Sequence, residues 1–142
     1  MSVDAGLHIF FQPSTATAAI LRALLDRGWR AIGSGIEIVW LGEQRPNIML
    51  ALSSLADDAS KLDVHLSRGE SFSVTMNWGS TDHGGEFIFS LRDQVMFSPS
   101  VNRLTLGRRL TDVSWYLTRI VAPQALPKEA AVVESWRWFE NA

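Results

Sequence analysis

The segment Ser71–Trp78, "SFSVTMNW", constrains the fold more than any other part of the sequence. Apolar residues at positions 72, 74, 76 and 78 alternate with polar residues at 71, 73, 75 and 77. Because successive side chains of a strand point to opposite faces of a sheet, this alternation predicts a strand with one buried face and one face that is open to water or to a partner. The segments "EFIFSL", "QVMFS" and "VNRLTL" follow at short intervals and predict an antiparallel meander.

The residues before this meander predict a strand, a helix and a hairpin. Leu7–Phe11 is a short apolar run that is typical of a buried strand. A helix is predicted to open at Pro13, with Ser14 or Thr15 as its N-cap, and to end at Gly28. The segments "GIEIVWL" and "IMLAL" then predict two strands that pair across the turn "GEQRPN".

Residues 53–69 fit two different structures. Apolar residues recur at helical spacing at positions 55, 59, 62 and 66, but those at 62, 64 and 66 also alternate with polar residues as in a strand. We expect a short helix to about residue 60, followed by a strand that turns at Arg68 and Gly69.

Two further helices are predicted in the C-terminal part of the chain. The first is capped by Thr111, and its apolar stripe consists of Val113, Tyr116, Leu117, Ile120 and Val121. The second begins at Pro127, and its inner face consists of Val132, Val133, Trp136 and Phe139. The whole pattern predicts an α+β fold, in which a mostly antiparallel sheet is packed by an N-terminal helix and C-terminal helices.

Length and composition predict that residues 1–142 form a single domain in the cytoplasm. The chain has 142 residues and a mass of 15.8 kDa, which is the size of one domain. Hydrophobic residues make up 46% and charged residues 20%, as in ordinary globular proteins. The chain has no cysteine, which excludes disulfides, thiolate zinc sites and cysteine nucleophiles and suits a reducing compartment.

Charge and hydropathy disfavour two classes of partner. A net charge of −2 and a pI of about 5.9 argue against direct nucleic-acid binding, because domains with that function are usually basic. The N-terminus lacks the basic residues and the long apolar run of a signal peptide. No segment approaches the ~20 apolar residues of a membrane span, so no membrane partner is expected.

The segment "NWGSTDHGGEF" joins two predicted strands and contains Asp82 and His83. Its residue types make turns, so a plain hairpin loop accounts for it, and the other interpretations are a loop that contacts a partner and a catalytic pair. His8 and His65 have no spacing that ties them to His83, so no metal site is predicted. The glycines at 33 and 35 precede a strand instead of the helix that a nucleotide site requires. We therefore predict no cofactor and no catalytic residue.

Asp57, Asp58 and Asp63 form a candidate acidic surface. If a helix is capped at position 54, the first two lie in its first turn, where acids complement the helix dipole on a solvated face. The functional interpretation is a patch that meets a basic partner and raises the rate and specificity of association. We take these three residues, with Asp82 and His83, as candidate partner-binding residues.

Trp115 is a further candidate, because it lies off the apolar stripe of its predicted helix, one turn before Arg119. Stacking with Arg119 would shield it, whereas exposure would make it an aromatic anchor of the kind found at binding hot spots. Arg103, Arg108, Arg109 and Arg119 form a local basic cluster after the last predicted strand of the meander, and either an anion-binding patch or scattered pairs with acids accounts for it.

The chain resembles the small cytoplasmic immunity proteins that protect bacteria from polymorphic or contact-dependent toxins. The resemblance rests on the mildly acidic, cysteine-free α+β chain, the segment "SLADDASKLD" and the abundance of Trp and Phe. It implies a non-catalytic protein that binds one cognate toxin, often a nuclease, and occludes its active site. Both a monomer and a homodimer are compatible with it.

Two other classes of function stay open on the sequence. The order of the helix "STATAAILRALLDRGW", strands and C-terminal helices is similar to that of small secretion chaperones, which generally dimerise. A dimer with an unfolded client segment would favour that class. A small enzyme would use His83 and Asp82 with a further residue, and His83→Ala would then abolish an activity.

Overall fold

A computed structural model describes residues 4–42, 44–107, 110–121 and 133–141. Their strands are β1 (Asp4–Phe11), β2 (Trp29–Ala31), β3 (Ile36–Leu41), β4 (Ile48–Leu50), β5 (Ser71–Trp78), β6 (Gly84–Leu91), β7 (Gln94–Val101), β8 (Thr105–Leu106), β9 (Leu110–Thr111) and β10 (Val133–Asn141). Their α-helices are α1 (Thr17–Arg27), α2 (Leu55–Ser67) and α3 (Val113–Ile120), and a 3-10 helix, Leu52–Ser54, precedes α2. None of the helices in this part of the chain is long and apolar enough to cross a membrane.

The main sheet has eight strands. Seven follow the order β10-β1-β7-β6-β5-β3-β4, and β2 pairs with β5 at the end that β3 leaves free. All the pairs are antiparallel. The strands β8 and β9 form a separate two-stranded hairpin. The predicted α+β fold with its β5-β6-β7 meander is therefore confirmed.

The core lies between the helices and one face of this sheet. Phe72, Val74 and Met76 of β5 point into it and are fully buried, as their alternation predicts. The helices contribute an apolar stripe each, which consists of Ile20, Leu21, Ala23 and Leu24 on α1, Leu55, Ala59, Leu62 and Leu66 on α2, and Tyr116 and Ile120 on α3. One continuous apolar cluster joins these stripes to the sheet.

The opposite face of the sheet is not covered by any described helix. Its centre is partly apolar, since Val39, Ile88 and Met96 are only partly buried there. Ser73 lies directly between Val39 and Ile88 and is buried by them. The prediction of one uncovered sheet face is thus confirmed, although this face is less polar than the β5 residues alone indicated.

The predicted end of α1 is confirmed and its predicted N-cap is wrong. Gly28 has a φ of 119°, and its N–H donates to the carbonyls of Leu24 and Leu25 in the last turn of the helix. The helix begins at Thr17 with Ala16 in the N-cap position, and no local side chain caps it. Ser14, with a φ of 65°, and Thr15, whose hydroxyl donates to the Gln12 carbonyl, both precede the N-cap position.

The predicted strand after residue 60 is also wrong, because α2 continues to Ser67. The apolar residues at helical spacing are all buried, whereas Val64, which the strand pattern needed, is 51% exposed. Packing of one helix face on the sheet therefore decides between two patterns that local spacing leaves equal. The predicted turn at Arg68 and Gly69 is confirmed, and Gly69 has a φ of 80°.

The C-terminal segment departs furthest from the prediction. Val133, Trp136 and Phe139 lie in strand β10, which pairs with β1 over its whole length, instead of in a helix. The part of the predicted helix from Pro127 to Val132 lies outside the described residues. Pairing with a distant strand satisfies the backbone of β1 and β10 together, and a pattern within nine residues does not reveal it.

Two smaller predictions in this region are corrected as well. The α3 helix is capped by Asp112, whose Oδ1 accepts a hydrogen bond of 3.2 Å from the Trp115 backbone N–H, and not by Thr111. The segment "VNRLTL" contributes only Val101 to the main sheet, as the end of β7, and its Thr105 and Leu106 form the small hairpin with β9.

Gly85 offers a test of how tightly the sheet packs. A Cβ at this position would lie 2.1 Å from the Ser98 carbonyl oxygen and 2.7 Å from the Phe97 ring. We expect Gly85→Ala to lower the free energy of unfolding by about 1–3 kcal/mol, because backbone and a buried ring must move. Urea unfolding measures this.

Gly33→Ala is the matched control for that substitution. A Cβ there meets nothing within 4 Å, so its effect should stay within about 0.5 kcal/mol. Equal unfolding midpoints for the two variants would contradict the close approach at Gly85.

Candidate functional site

The three acids of the candidate surface lie on α2 but have different environments. Asp57 is exposed in the first turn, and the Oδ2 of Asp58 accepts a hydrogen bond of 2.7 Å from Ser54 Oγ. Asp63 points to α1 instead, where its Oδ1 accepts from the Thr17 backbone N–H at 3.1 Å and from the Thr17 hydroxyl at 2.7 Å. It thereby satisfies a donor that the start of α1 leaves free.

The loop that joins β5 to β6 is a compact turn. The Trp78 N–H donates to the His83 carbonyl at 2.9 Å, and the Thr81 N–H donates to the Trp78 carbonyl at 2.9 Å. Gly84 and Gly85 belong to β6 and are buried, so they serve close packing and not the turn. The predicted hairpin connection between β5 and β6 is therefore confirmed, and the role of Asp82 and His83 in partner binding stays a prediction.

His83 and Asp82 do not form a tight pair. His83 Nε2 lies 3.8 Å from Asp82 Oδ1, and the Asp82 side chain is 82% exposed. His83 Nδ1 donates to the Asn102 carbonyl at 2.7 Å, which fixes the ring on the adjoining segment. A general base needs an orienting group within hydrogen-bond distance, and this geometry does not provide one in Asp82.

Trp115 joins this corner of the molecule through Arg119. The Arg119 guanidinium lies 4.2 Å from the Trp115 ring centroid and 5.5 Å from that of Trp78. The His83 ring meets the Trp115 ring edge-on at 5.7 Å. The stacking interpretation of Trp115 is confirmed, and the side chain is partly buried instead of standing free as an anchor.

Arg103, which precedes α3, contacts residues of β9 and β10. Arg103 Nη1 donates to Thr111 Oγ1 at 2.6 Å and lies 3.9 Å from a Glu140 carboxylate oxygen on β10. Arg108 and Arg109 lie outside the described residues. Arg103 and Arg119 therefore make separate contacts, and the pairing partner of Arg103 comes from a strand that the sequence did not predict.

Exposed apolar side chains point to a different surface, which sequence reasoning missed. Ile48 and Met49 of β4 are 42% and 51% exposed, and Leu52 just after it is 45% exposed. Ile32, in the loop before β3, is 59% exposed and faces Met49 across a cleft. We call these four residues, together with Asp58, the β4 surface. No periodic pattern marks them, because they come from separate segments.

Two clefts lie beside β4, one on each face of the sheet. The outer cleft has a volume of about 220 Å³ and is lined by Ile32, Gly33, Gly35, Glu37, Val39, Met49 and Thr75. The inner groove has a volume of about 330 Å³ and is lined by Ile48, Met49, Leu50, Asp58, Lys61, Leu62 and His65. Met49 lines both, which places the edge strand β4 between them.

A charged cluster adjoins the inner groove through His65, which lines it. His65 Nδ1 donates to a carboxylate oxygen of Glu70, and the same oxygen lies 3.0 Å from Arg45 Nη1. The hydrogen bonds from His65 and, next, from Arg45 hold the pKa of Glu70 below its ordinary value. The Trp40 ring packs against this cluster, with its centroid 4.7 Å from that of the His65 ring and the two ring planes tilted by 58°. Arg45 is distant in sequence, so spacing did not reveal this group.

The chemistry of the β4 surface suits binding. Apolar walls with a few carboxylate, ammonium and imidazole groups fix the orientation of a ligand or partner. Among the described residues, no group of three or more His, Asp or Glu side chains lies close enough to hold a metal ion. The imidazole of His65 contacts the carboxylate of Glu70 more closely than that of His83 contacts Asp82. A serine or threonine nucleophile would need to lie beside it, and none is present among the described residues that line the inner groove.

Comparison of the chain with protein-family models, with curated proteins and with solved structures found no match. The resemblance to immunity proteins stays a prediction, and nothing in these comparisons bears on it.

Asp63 and Asp57 form a matched pair for a test of the acidic residues. Asp63→Asn should lower the free energy of unfolding by about 1–2 kcal/mol, since it weakens the bonds that hold the start of α1. Asp57→Asn should change it by less than about 0.5 kcal/mol, since that side chain is exposed. Chemical denaturation checks both, and equal losses would argue against the tie between α1 and α2.

Glu70 predicts how stability depends on pH. Because its pKa is lowered in the folded state, its contribution is present above its ordinary value of 4.5 and is lost as pH falls through the lowered pKa. Glu70→Gln should therefore be less stable than the parent at neutral pH, and the difference should shrink in acid below pH 4.5. Unfolding midpoints across this range measure it.

The variant His65→Gln controls for the cause of this effect. In that background Glu70→Gln should cost less, because the hydrogen bond that lowers the pKa most is already absent. A difference between parent and Glu70→Gln that stays constant in acid would contradict the assignment.

Proposed function

We propose that this protein is a non-catalytic immunity protein that binds a bacterial toxin through the β4 surface and occludes the toxin's active site. The observation that carries the proposal is the exposure of Ile32, Ile48, Met49 and Leu52 around one edge of the sheet. Contiguous exposed apolar side chains rimmed by polar groups are typical of protein-protein contact sites.

The charges beside this surface support the same proposal. Asp57 and Asp58 stand at the exposed start of α2, next to the inner groove. Carboxylates at the rim of an apolar contact accelerate association with a basic partner and fix its orientation. A nuclease, whose cleft must attract a polyanion, presents such a basic surface.

The two other classes of function have less support. An enzyme that used His83 with Asp82 would depend on a pair 3.8 Å apart whose acid is almost fully solvated. A chaperone-like module would dimerise, and sedimentation of the purified protein decides that property directly. The immunity proposal requires no catalytic group and uses a surface with four exposed apolar residues.

Neutralisation of a toxin tests the proposal. The chain is co-expressed with the toxin domain encoded by the preceding gene, since immunity genes are expected to follow toxin genes directly. Growth should be restored, and the purified pair should bind. Asp57→Lys should weaken this binding roughly tenfold, mostly through slower association, because it reverses a rim charge.

Asp82→Lys is the matched control, because Asp82 is an exposed acid in the β5–β6 loop and not on the β4 surface. It should leave binding unchanged. A larger loss with Asp82→Lys than with Asp57→Lys would move the contact to the β5–β6 loop, and failure of the parent chain to restore growth would refute the immunity function.

A further inference from the structure

We propose that the partner is held by β-augmentation: an extended segment of the partner adds as a strand to the edge of β4. This inference rests on the proposed role of the β4 surface as the binding site. It names the conformation and the side-chain chemistry of what binds there.

The first support is the position of β4 at the edge of the sheet. The strand pairs with β3 in the register Ile36–Leu50, Glu37–Met49 and Ile38–Ile48. On its other side it has no partner strand among the described residues. The N–H and C=O groups along such an edge are directed donors and acceptors for another extended backbone.

The second support is the pair of clefts that flank this edge. Side chains of an added strand point alternately to the two faces of the sheet. Those on one face would enter the inner groove, and those on the other would enter the outer cleft. Backbone pairing with alternate side-chain pockets is the combination by which sheet edges recognise extended peptides.

The size of the clefts fits this occupant. A cavity of about 150 Å³ accommodates a benzene molecule. The outer cleft at about 220 Å³ and the inner groove at about 330 Å³ therefore each have room for a large side chain.

The lining residues define which side chains fit. Among the described residues that line the outer cleft, Glu37 is the only charged one, and Ile32, Val39 and Met49 are apolar. Its carboxylate accepts one hydrogen bond of 3.0 Å from Asn47 and keeps further acceptor capacity. A Lys or Arg side chain, with an aliphatic stem and a cationic head, matches this cleft.

The inner groove selects apolar side chains. Ile48, Leu50 and Leu62 line it, together with one acidic residue, Asp58, and one basic residue, Lys61. Since β4 has three residues, the recognised segment is short. The expected sequence is apolar-basic-apolar, with the two apolar side chains in the inner groove and the basic one in the outer cleft.

A display library of random linear peptides tests this inference on the full chain. Selected peptides should contain the apolar-basic-apolar pattern. A synthetic copy is then N-methylated at one position at a time, and binding should be lost at every second position. This period of two arises because only alternate backbone groups of an added strand face its partner.

Variants of the protein locate the binding at β4. Met49→Lys should reduce the affinity of the selected peptides at least roughly tenfold, because it places a charge on the edge between the two clefts. The control Leu91→Lys, at a strand residue of similar exposure (54% against 51%), should leave it unchanged. Glu37→Lys should change the preferred middle residue from basic to acidic.

The outcomes separate this inference from the proposed function. Absence of any enriched peptide, loss of binding on N-methylation without alternation, or equal effects of Met49→Lys and Leu91→Lys would each overturn β-augmentation. If growth rescue succeeds under these results, the immunity proposal stands without it. Alternating loss with no growth rescue supports the peptide site and refutes only the immunity function.

Discussion

The burial of Trp29 is the interaction on which the rest of this structure depends. The ring is 1% exposed, and its centroid lies 5.2 Å from that of Phe87 and 5.6 Å from those of Trp78 and Phe97. Its Nε1 donates to the Arg119 carbonyl at 3.1 Å, which ties α3 to the same centre. One side chain thus joins the meander β5-β6-β7 to α3, directly after the end of α1.

The candidate binding surface exists because two of the three β4 residues, Ile48 and Met49, are exposed, whereas Leu50 is buried in the core. The strand is short, and the chain passes from it through a 3-10 turn into α2, which packs on the inner face of the sheet. The inner groove lies between β4 and α2, since both elements contribute the residues that line it. The Glu70 cluster, with Arg45 and His65, secures the back of this groove.

The candidate site was only partly predictable. Asp57 and Asp58 lie next to the groove, as helix-start acids recognisable from the sequence. Asp63 of the same helix binds the start of α1 instead. The sequence did not predict this contact, because its partner Thr17 is distant in the chain. The exposed residues of the β4 surface come from three segments, and no spacing within one segment reveals their neighbourhood.

The sequence alone determined the alternation of β5, the antiparallel meander and the end of α1 at Gly28. These are local properties, since side-chain direction in a strand and the left-handed conformation of glycine depend on a few neighbouring residues. Only the tertiary structure decided that residues 61–67 are helical, that β10 is a strand and that β4 lies at the edge of the sheet formed by the described residues, between two clefts. Long-range backbone pairing and the burial of one helix face decide these features, and both depend on residues that are distant in the chain.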